Sequence, residues 1–299
     1  MLHAFAHHAM ATRFELLLDA PTEVGARAVA EAAWEEIDRI EFTLSAFLPE
    51  SELNGLNHNA AASAVPVDPR FFAFLELARK LTALTGGAFD PTIAPLLTAW
   101  GLRGPARIAP PSTDELNAAQ ALVGWENIVL DAESLTVRYA AEGVSLDFGG
   151  LGKGYALDRA ATIVGEAGIV NALLHAGTSS VIGLGVPPEA AAWKVAIAAP
   201  PAMRMSAHVA VATLHDTALS VSAQHGRGVV IAGVQYWHTI DPRRSAPADT
   251  ALLAATVAPT ATQAEAFSTA MLITGAGHGL LVIGNSTTIT DSKAFAILC

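Results

Sequence analysis

Four glycines and a lysine stand together in the run Val144-Ser-Leu-Asp-Phe-Gly-Gly-Leu-Gly-Lys-Gly-Tyr-Ala-Leu-Asp158. Glycines at 149, 150, 152 and 154 let backbone N–H and C=O groups approach a ligand with no Cβ in the way, and the helical pattern that follows offers unpaired N–H groups to an anion. Lys153 sits where those groups converge, and it is one of only four lysines in the chain, so a random solvating charge is the weaker explanation for it. The chemistry on offer is phosphate binding; the plainer alternative is a strand-to-helix turn with a surface lysine. Neither common phosphate loop is present. A Walker A loop needs glycine where Asp147 stands and Ser or Thr in place of Gly154, and a dinucleotide fingerprint begun at Gly150 and Gly152 needs glycine in place of Tyr155.

Two further groups could do chemistry. Glu265 and Thr269, in Ala264-Glu-Ala-Phe-Ser-Thr269, fall one turn apart on one helix face. Both can give oxygen to a hard cation such as Mg²⁺, which takes few protein ligands plus substrate phosphates, although an ordinary helix with one polar face has the same pattern. His238-Thr-Ile-Asp-Pro242 puts a histidine at a strand end, three residues before an aspartate in a turn, and such a histidine can take a proton near neutral pH. Ser220-Val-Ser-Ala223 and His175-Ala-Gly-Thr-Ser-Ser180 read as turns of small polar residues, without the Gly-x-Ser-x-Gly elbow of a serine hydrolase.

The elements that must position these groups follow from periodicity. Residues 11–18 alternate as a first strand, with Met10 and Thr12 at its entrance; Val29, Ala33, Ile37, Ile40 and Leu44 then mark an amphipathic helix. Pro49 breaks that pattern, and 45–54 reads as a loop in which Phe47 is either a core plug, the reading that sequence favours, or a stacking surface. Asp68-Pro69 caps a helix ending at Gly86-Gly87, followed by the tight turn Ala88-Phe-Asp-Pro91; Ser112 to Glu115 form a capping box; 127–131 and 135–140 form a hairpin that leads into a strand before Asp147. Helix 155–167 follows. The second half reads as strands at 170–174, 180–184, 193–198, 209–214, 228–231 and 251–257, with one strong helix at 260–274. Without a regular βαβ repeat, the expectation is α+β with a largely antiparallel sheet. The proline pairs at 187–188 and 200–201 come nearest to a boundary.

At 299 residues and 52% hydrophobic the chain can fill one large core or two. No apolar run approaches the roughly 18 residues of a spanning helix. The N-terminus has no basic start or long apolar stretch, so no signal peptide is expected and the cytoplasm is the expected compartment. A single cysteine, Cys299, excludes an internal disulfide framework and a cysteine metal cluster. A net charge of −11 argues against a nucleic-acid surface and opposes any anionic ligand at long range, so a phosphate-bearing ligand requires local cations or a metal.

In order, these pieces resemble the ApbE family, the flavin transferases that move FMN from FAD onto a threonine of an acceptor flavoprotein. The matching stretches are Met10-Ala-Thr12, Leu44-Ser-Ala-Phe47 with Ser51-Glu52, Gly86-Gly-Ala-Phe-Asp-Pro91, 147–158, Ser222, His238 to Pro242, and 264–270. The resemblance implies a single ApbE-like domain over 1–299, of two intertwined subdomains, with a fold related to tunnelling folds and FAD in a cleft between the subdomains. It implies that Met10, Phe47, Ala88, Phe89, Asp90, Asp147, Lys153 and His238 line the FAD site and that His238 also assists deprotonation of the threonine. The Gly150 carbonyl, Glu265 and Thr269 would hold Mg²⁺. Three positions depart from the family's pattern: Glu265 where Asp is usual, Gly177-Thr-Ser179 for a Gly-Gly-Asp or Gly-Gly-Asn turn, and Arg244-Ser245 for Thr-Gly. No lipoprotein cysteine stands near the start, unlike exported relatives. The alternatives to transfer are a flavin nucleotide binder without transfer and an FAD pyrophosphatase giving FMN and AMP.

Overall fold

The computed structural model of the chain describes residues 1–201, 203, 207–226, 228–284 and 286–297, and Cys299 lies outside the described residues. Alternating pieces of chain build two compact units. The first comprises Met1–Glu41, Leu151–Ala223 and Thr250–Cys299, the second Phe42–Gly150 and Gln224–Asp249. Both proline pairs fall inside the first unit, so neither marks a boundary.

The first unit carries an eight-stranded sheet. Its order is Leu2–Ala9, Thr12–Asp19, Ala172–Ala176, Ser180–Leu184, Thr217–Ala223, Leu253–Ala258, Leu280–Ile283 and Ser286–Ile289, every pair antiparallel, as the composition of elements predicts. Alternation along each strand gives the sheet two working faces. Val181, Leu219 and Leu253 face a three-stranded sheet of Trp193–Ala198, His208–Leu214 and Phe295–Ile297, and pack on Trp193, Ile197, Leu214 and Phe295. Ser180, Ser220 and Ser222 face the other way, toward the helix Ala261–Thr274, which lies beside the helix Gly152–Glu166.

Two readings of the sequence are corrected here. Residues 220–223 are not a turn but the end of a central strand, because hydroxyl side chains suited to a turn are here satisfied by a helix lying over the sheet. Leu2–Ala9 is a strand that periodicity did not flag; it hairpins onto Thr12–Asp19 through Met10 and Ala11, both at positive φ (50° and 54°), the turn geometry that matches strand twist.

The second unit is built on the helix Pro69–Leu84. Asp68 caps it by accepting from Arg70 N, and Phe71, Phe72, Phe74, Leu75, Ala78 and Leu81 are all buried. Phe148 meets Phe71 and Phe74 edge-on. Residues 45–54 are not wholly loop: Ser51 accepts from Asn54 N and opens a short helix, Glu52–Asn59. The expected strand before Asp147 does not form. Leu146 spends both backbone groups on the Asn57 side chain, donating N–H to Oδ1 (2.9 Å) and accepting from Nδ2 (3.0 Å), so nothing is left for a ladder. The Tyr139 hydroxyl also donates to Asn57 Oδ1. Among the described residues no helix is long and apolar enough to cross a membrane.

Replacing Asn57 with alanine strips Leu146 and Tyr139 of their partners. Denaturant unfolding should show a loss of about 2–3 kcal/mol, the cost of leaving buried polar groups unpaired.

Candidate functional site

The Glu265 side chain is buried, with 4% of the residue exposed, yet only half of its carboxylate is satisfied. Ser180 Oγ donates to Oε1 at 2.6 Å, and Lys153 Nζ stands 3.5 Å from the same oxygen. Oε2 has no partner. A buried carboxylate oxygen left bare is costly unless a cation or donor takes it. One turn along, Thr269 Oγ1 lies 3.3 Å from Ser222 Oγ, which in turn meets Ser268 Oγ at 2.9 Å. Helical spacing thus brings Glu265 and Thr269 to one face, as the sequence predicts, and Lys153 joins them. The oxygens of Glu265 and Thr269 are hard donors, and with Oε2 left over they fit a small divalent cation.

Two features of the Lys153 helix set its distance from the Glu265 helix. Gly154 is packed so closely that a Cβ there would lie 2.5 Å from the Ala261 carbonyl oxygen. Asp158, one turn later, caps the start of the neighbouring helix: Oδ1 accepts from Ala261 N (2.7 Å) and Oδ2 from Thr262 N (2.9 Å) and the Thr262 hydroxyl. Burial pushes the Asp158 carboxyl above its ordinary value and the charge of Glu265 adds to this, while the bonds from Thr262 and Ala261 oppose it. Gly154 therefore serves helix packing. The Lys153 helix itself begins at Gly152 rather than at 155, and its N-cap residue, Leu151, offers no side-chain cap, so its first N–H groups remain suited to an anion.

Met10 lies at the tip of the first hairpin, half-buried and at positive φ, where Gly177 N donates to the neighbouring Arg13 carbonyl. The Gly177-Thr178-Ser179 turn is thereby held against the hairpin and delivers Ser180 to the sheet.

In the second unit the structure draws three sequence-predicted segments together. Asp147 N donates to the Pro91 carbonyl at 2.8 Å, joining the glycine turn to the Asp90-Pro91 turn. Asp147 Oδ1 accepts from Gly149 N, which shapes the turn that ends in Gly150. Arg103, which sequence reasoning missed, reaches Asp147 Oδ2 (3.5 Å) with one nitrogen and the Ala46 carbonyl (3.3 Å) with another, tying in the Phe47 loop. It lies between Gly101 and Gly104 in an irregular segment with no periodic signal, so nothing in its spacing marks it out. Phe47 is 78% exposed and is a free aromatic surface, not the core plug that sequence favoured, because the backbone N–H groups of Phe47 and Leu48 turn back onto Ser45 Oγ and hold the loop outward.

Ala88 and Phe89 have buried side chains, so what they can offer a ligand is backbone, shaped by the left-handed Gly86 and Gly87 (φ 59° and 74°). Burial raises the pKa of Asp90, whose Oδ1 accepts from the N–H and hydroxyl of Thr92. His238 follows the strand Val234–Trp237 and is exposed. Three residues on, Asp241 is buried and bound by Arg243 through Nε and Nη2. Ser245 adopts φ 53° and is held there by Trp100 Nε1, which donates to its carbonyl, and by its own bond to Gln120, so the turn keeps a glycine-like conformation without glycine.

The fold is that of a solved ApbE protein from Thermotoga maritima, with a TM-score of 0.87 and 27% identity over 98% of each chain. Two relatives are named FAD:protein FMN transferase. That of Treponema pallidum is 30% identical over 266 residues, covering 83% of this chain and 73% of its own length; that of Salmonella typhimurium is 28% identical over 245 residues, covering 80% and 69%. The model of the ApbE family matches residues 10–290. The chain belongs to the ApbE family.

Gly154→Ala forces the two helices apart against backbone. Unfolding should register a loss of about 1–3 kcal/mol, typical of overpacking, whereas the same change at Gly165, with nothing near its Cβ position, should cost nothing.

Proposed function

We propose that the chain is an Mg²⁺-dependent FAD:protein FMN transferase that moves FMN from FAD onto a threonine hydroxyl of an acceptor flavoprotein and releases AMP. The observation that carries this reading is the half-satisfied Glu265 carboxylate beside Lys153. On a chain of net charge −11, a diphosphate needs positive charge at the point of binding. Lys153 holds Glu265 only loosely, at 3.5 Å, and an ammonium has three donors, so it keeps N–H groups for phosphate oxygens.

Glu265 and Thr269 would hold the cation, and the resemblance adds the Gly150 carbonyl. Mg²⁺, when bound, stabilises negative charge developing on the departing AMP. The resemblance assigns Met10, Phe47, Ala88, Phe89, Asp90, Asp147 and Lys153 to FAD. The exposed Phe47 ring offers a face for stacking. In the transfer the threonine oxygen bonds to the FMN-side phosphorus, the bond from that phosphorus to the bridging oxygen breaks, and the bridging oxygen leaves with AMP. The threonine proton goes to His238, whose exposure suits a base that must meet an incoming protein. Most of the rate in such a transfer comes from positioning and electrostatics.

The test combines the protein with FAD, Mg²⁺ and a threonine-bearing acceptor and follows AMP together with acceptor-bound flavin fluorescence. Equal amounts of AMP and labelled acceptor are expected. Tight FAD binding without AMP would make the chain a binder, and AMP with free FMN would make it a pyrophosphatase. Glu265→Ala should abolish metal-dependent turnover; an unaltered Mg²⁺ titration would remove the cation from this site. Lys153→Ala should weaken FAD roughly tenfold in a fluorescence titration, the value of one charge-assisted hydrogen bond.

A further inference from the structure

The geometry points to Ser180 as a positioning residue: its hydroxyl fixes Oε1 of Glu265 so that Oε2 is the oxygen presented to the divalent cation. This inference rests on the assignment of Glu265 to the cation made above.

Ser180 is fully buried, with 0% of its surface exposed, and its backbone is locked in the middle of the sheet, paired with Ala176 on one side and Ser220 on the other. The hydroxyl therefore has a fixed origin. A carboxylate only accepts, so Ser180 donates, and at 2.6 Å the contact has the length of a charge-assisted O–H···O⁻ bond.

Its neighbours show how selective this bond is. Ser180, Ser220 and Thr256 stand directly opposite one another on three adjacent strands. Three hydroxyls thus lie in one row, but they are engaged differently. Ser220 Oγ accepts from Ser268 Oγ at 3.0 Å, and Thr256 Oγ1 is buried with no partner. Of the row, Ser180 has the bond to the carboxylate. Were burial alone being compensated, both oxygens of Glu265 would need partners. Instead Oε1 receives Ser180 and Lys153 together while Oε2 receives none. With Oε1 tethered, the carboxylate plane loses its freedom to swing and Oε2 is held before the cation arrives, which is how groups behind a ligand raise its affinity for metal.

Mn²⁺ serves as the probe because free Mn²⁺ is read directly by its paramagnetic resonance signal. Full-length protein, wild type and variants, is titrated with Mn²⁺ in saturating FAD; FAD affinity without metal and thermal stability are measured alongside. Ser180→Ala should raise the Mn²⁺ Kd about 10–100-fold, with FAD affinity in the absence of metal unchanged. Ser180→Cys keeps nearly the same volume with a weak S–H donor and should raise the Mn²⁺ Kd as well, which covers the case in which the alanine variant fails to fold. Thr256→Val removes a hydroxyl from the same row and should leave the Mn²⁺ Kd at the wild-type value. A Ser180 variant that melts at lower temperature but binds Mn²⁺ as wild type overturns the proposal and makes the bond a structural one. Glu265→Gln separates the two levels. If it destroys Mn²⁺ binding while the Ser180 variants do not, only the role of Ser180 falls; if it too binds Mn²⁺ normally, the cation assignment falls and the positioning role with it.

Discussion

A negative charge buried beneath a helix, bonded on one oxygen and bare on the other, is the constraint that organises the first unit. Removing a carboxylate from water is tolerated only when it is paired and hydrogen-bonded. Glu265 has Ser180 from the sheet and Lys153 from the adjacent helix, and both act on the same oxygen. The sheet places hydroxyls where a simple core would hold aliphatic residues: Ser180, Ser220, Ser222 and Thr256 all face the helix that carries Glu265, and of these Ser180 bonds its carboxylate. The opposite face of the same strands carries Val181, Leu219, Val221 and Leu253, packed in the core beneath. One face of the sheet packs apolar side chains and the other presents hydroxyls to the Glu265 helix.

Placement of that carboxylate depends in turn on how closely two helices approach. Gly154 removes the obstacle to contact, and Asp158 bonds the first N–H groups of the Glu265 helix. A carboxylate at a helix N-terminus is favoured by the helix dipole as well as by hydrogen bonding. Lys153, the residue before Gly154 on the same helix, is carried to its ion pair by the packing that Gly154 and Asp158 impose.

The second unit solves a different problem, that of holding irregular backbone in place. Asn57 replaces a strand partner for Leu146, Phe148 two residues on is anchored in an aromatic cluster, and between them Asp147 turns its backbone N–H to Pro91. Arg103 then spans from Asp147 to the loop bearing Phe47. Three loops that share no secondary structure are thus tied by a backbone bond from Asp147 to Pro91 and by the two contacts of Arg103, which leaves Phe47 outward and its ring unspent on the core.

Much of the molecule was legible in the chain itself. Local signals that act within a few residues were read correctly: the Asp68 and Ser112 caps, the hairpin of Ile128–Asp131 with Thr136–Tyr139, and the pairing of Glu265 with Thr269 on one helical face. The family resemblance was legible too, since it rests on the order of short motifs, and the family model matches residues 10–290. What local pattern misread were residues whose state depends on distant partners. Residues 220–223 looked like a turn because nothing nearby says that Ser268, almost fifty positions later, will satisfy their hydroxyls. The segment before Asp147 looked like a strand because its apolar alternation is strand-like, and only the fold brings Asn57 to take its hydrogen bonds. Ser180 and Arg103 carry no motif at all. Residue type and spacing therefore determined which groups could bind phosphate and cation, because those properties are written into a helix turn or a run of glycines. Tertiary structure decided which oxygen of Glu265 is spent and which is left over, because that depends on a hydroxyl eighty-five residues away in sequence and 2.6 Å away in space.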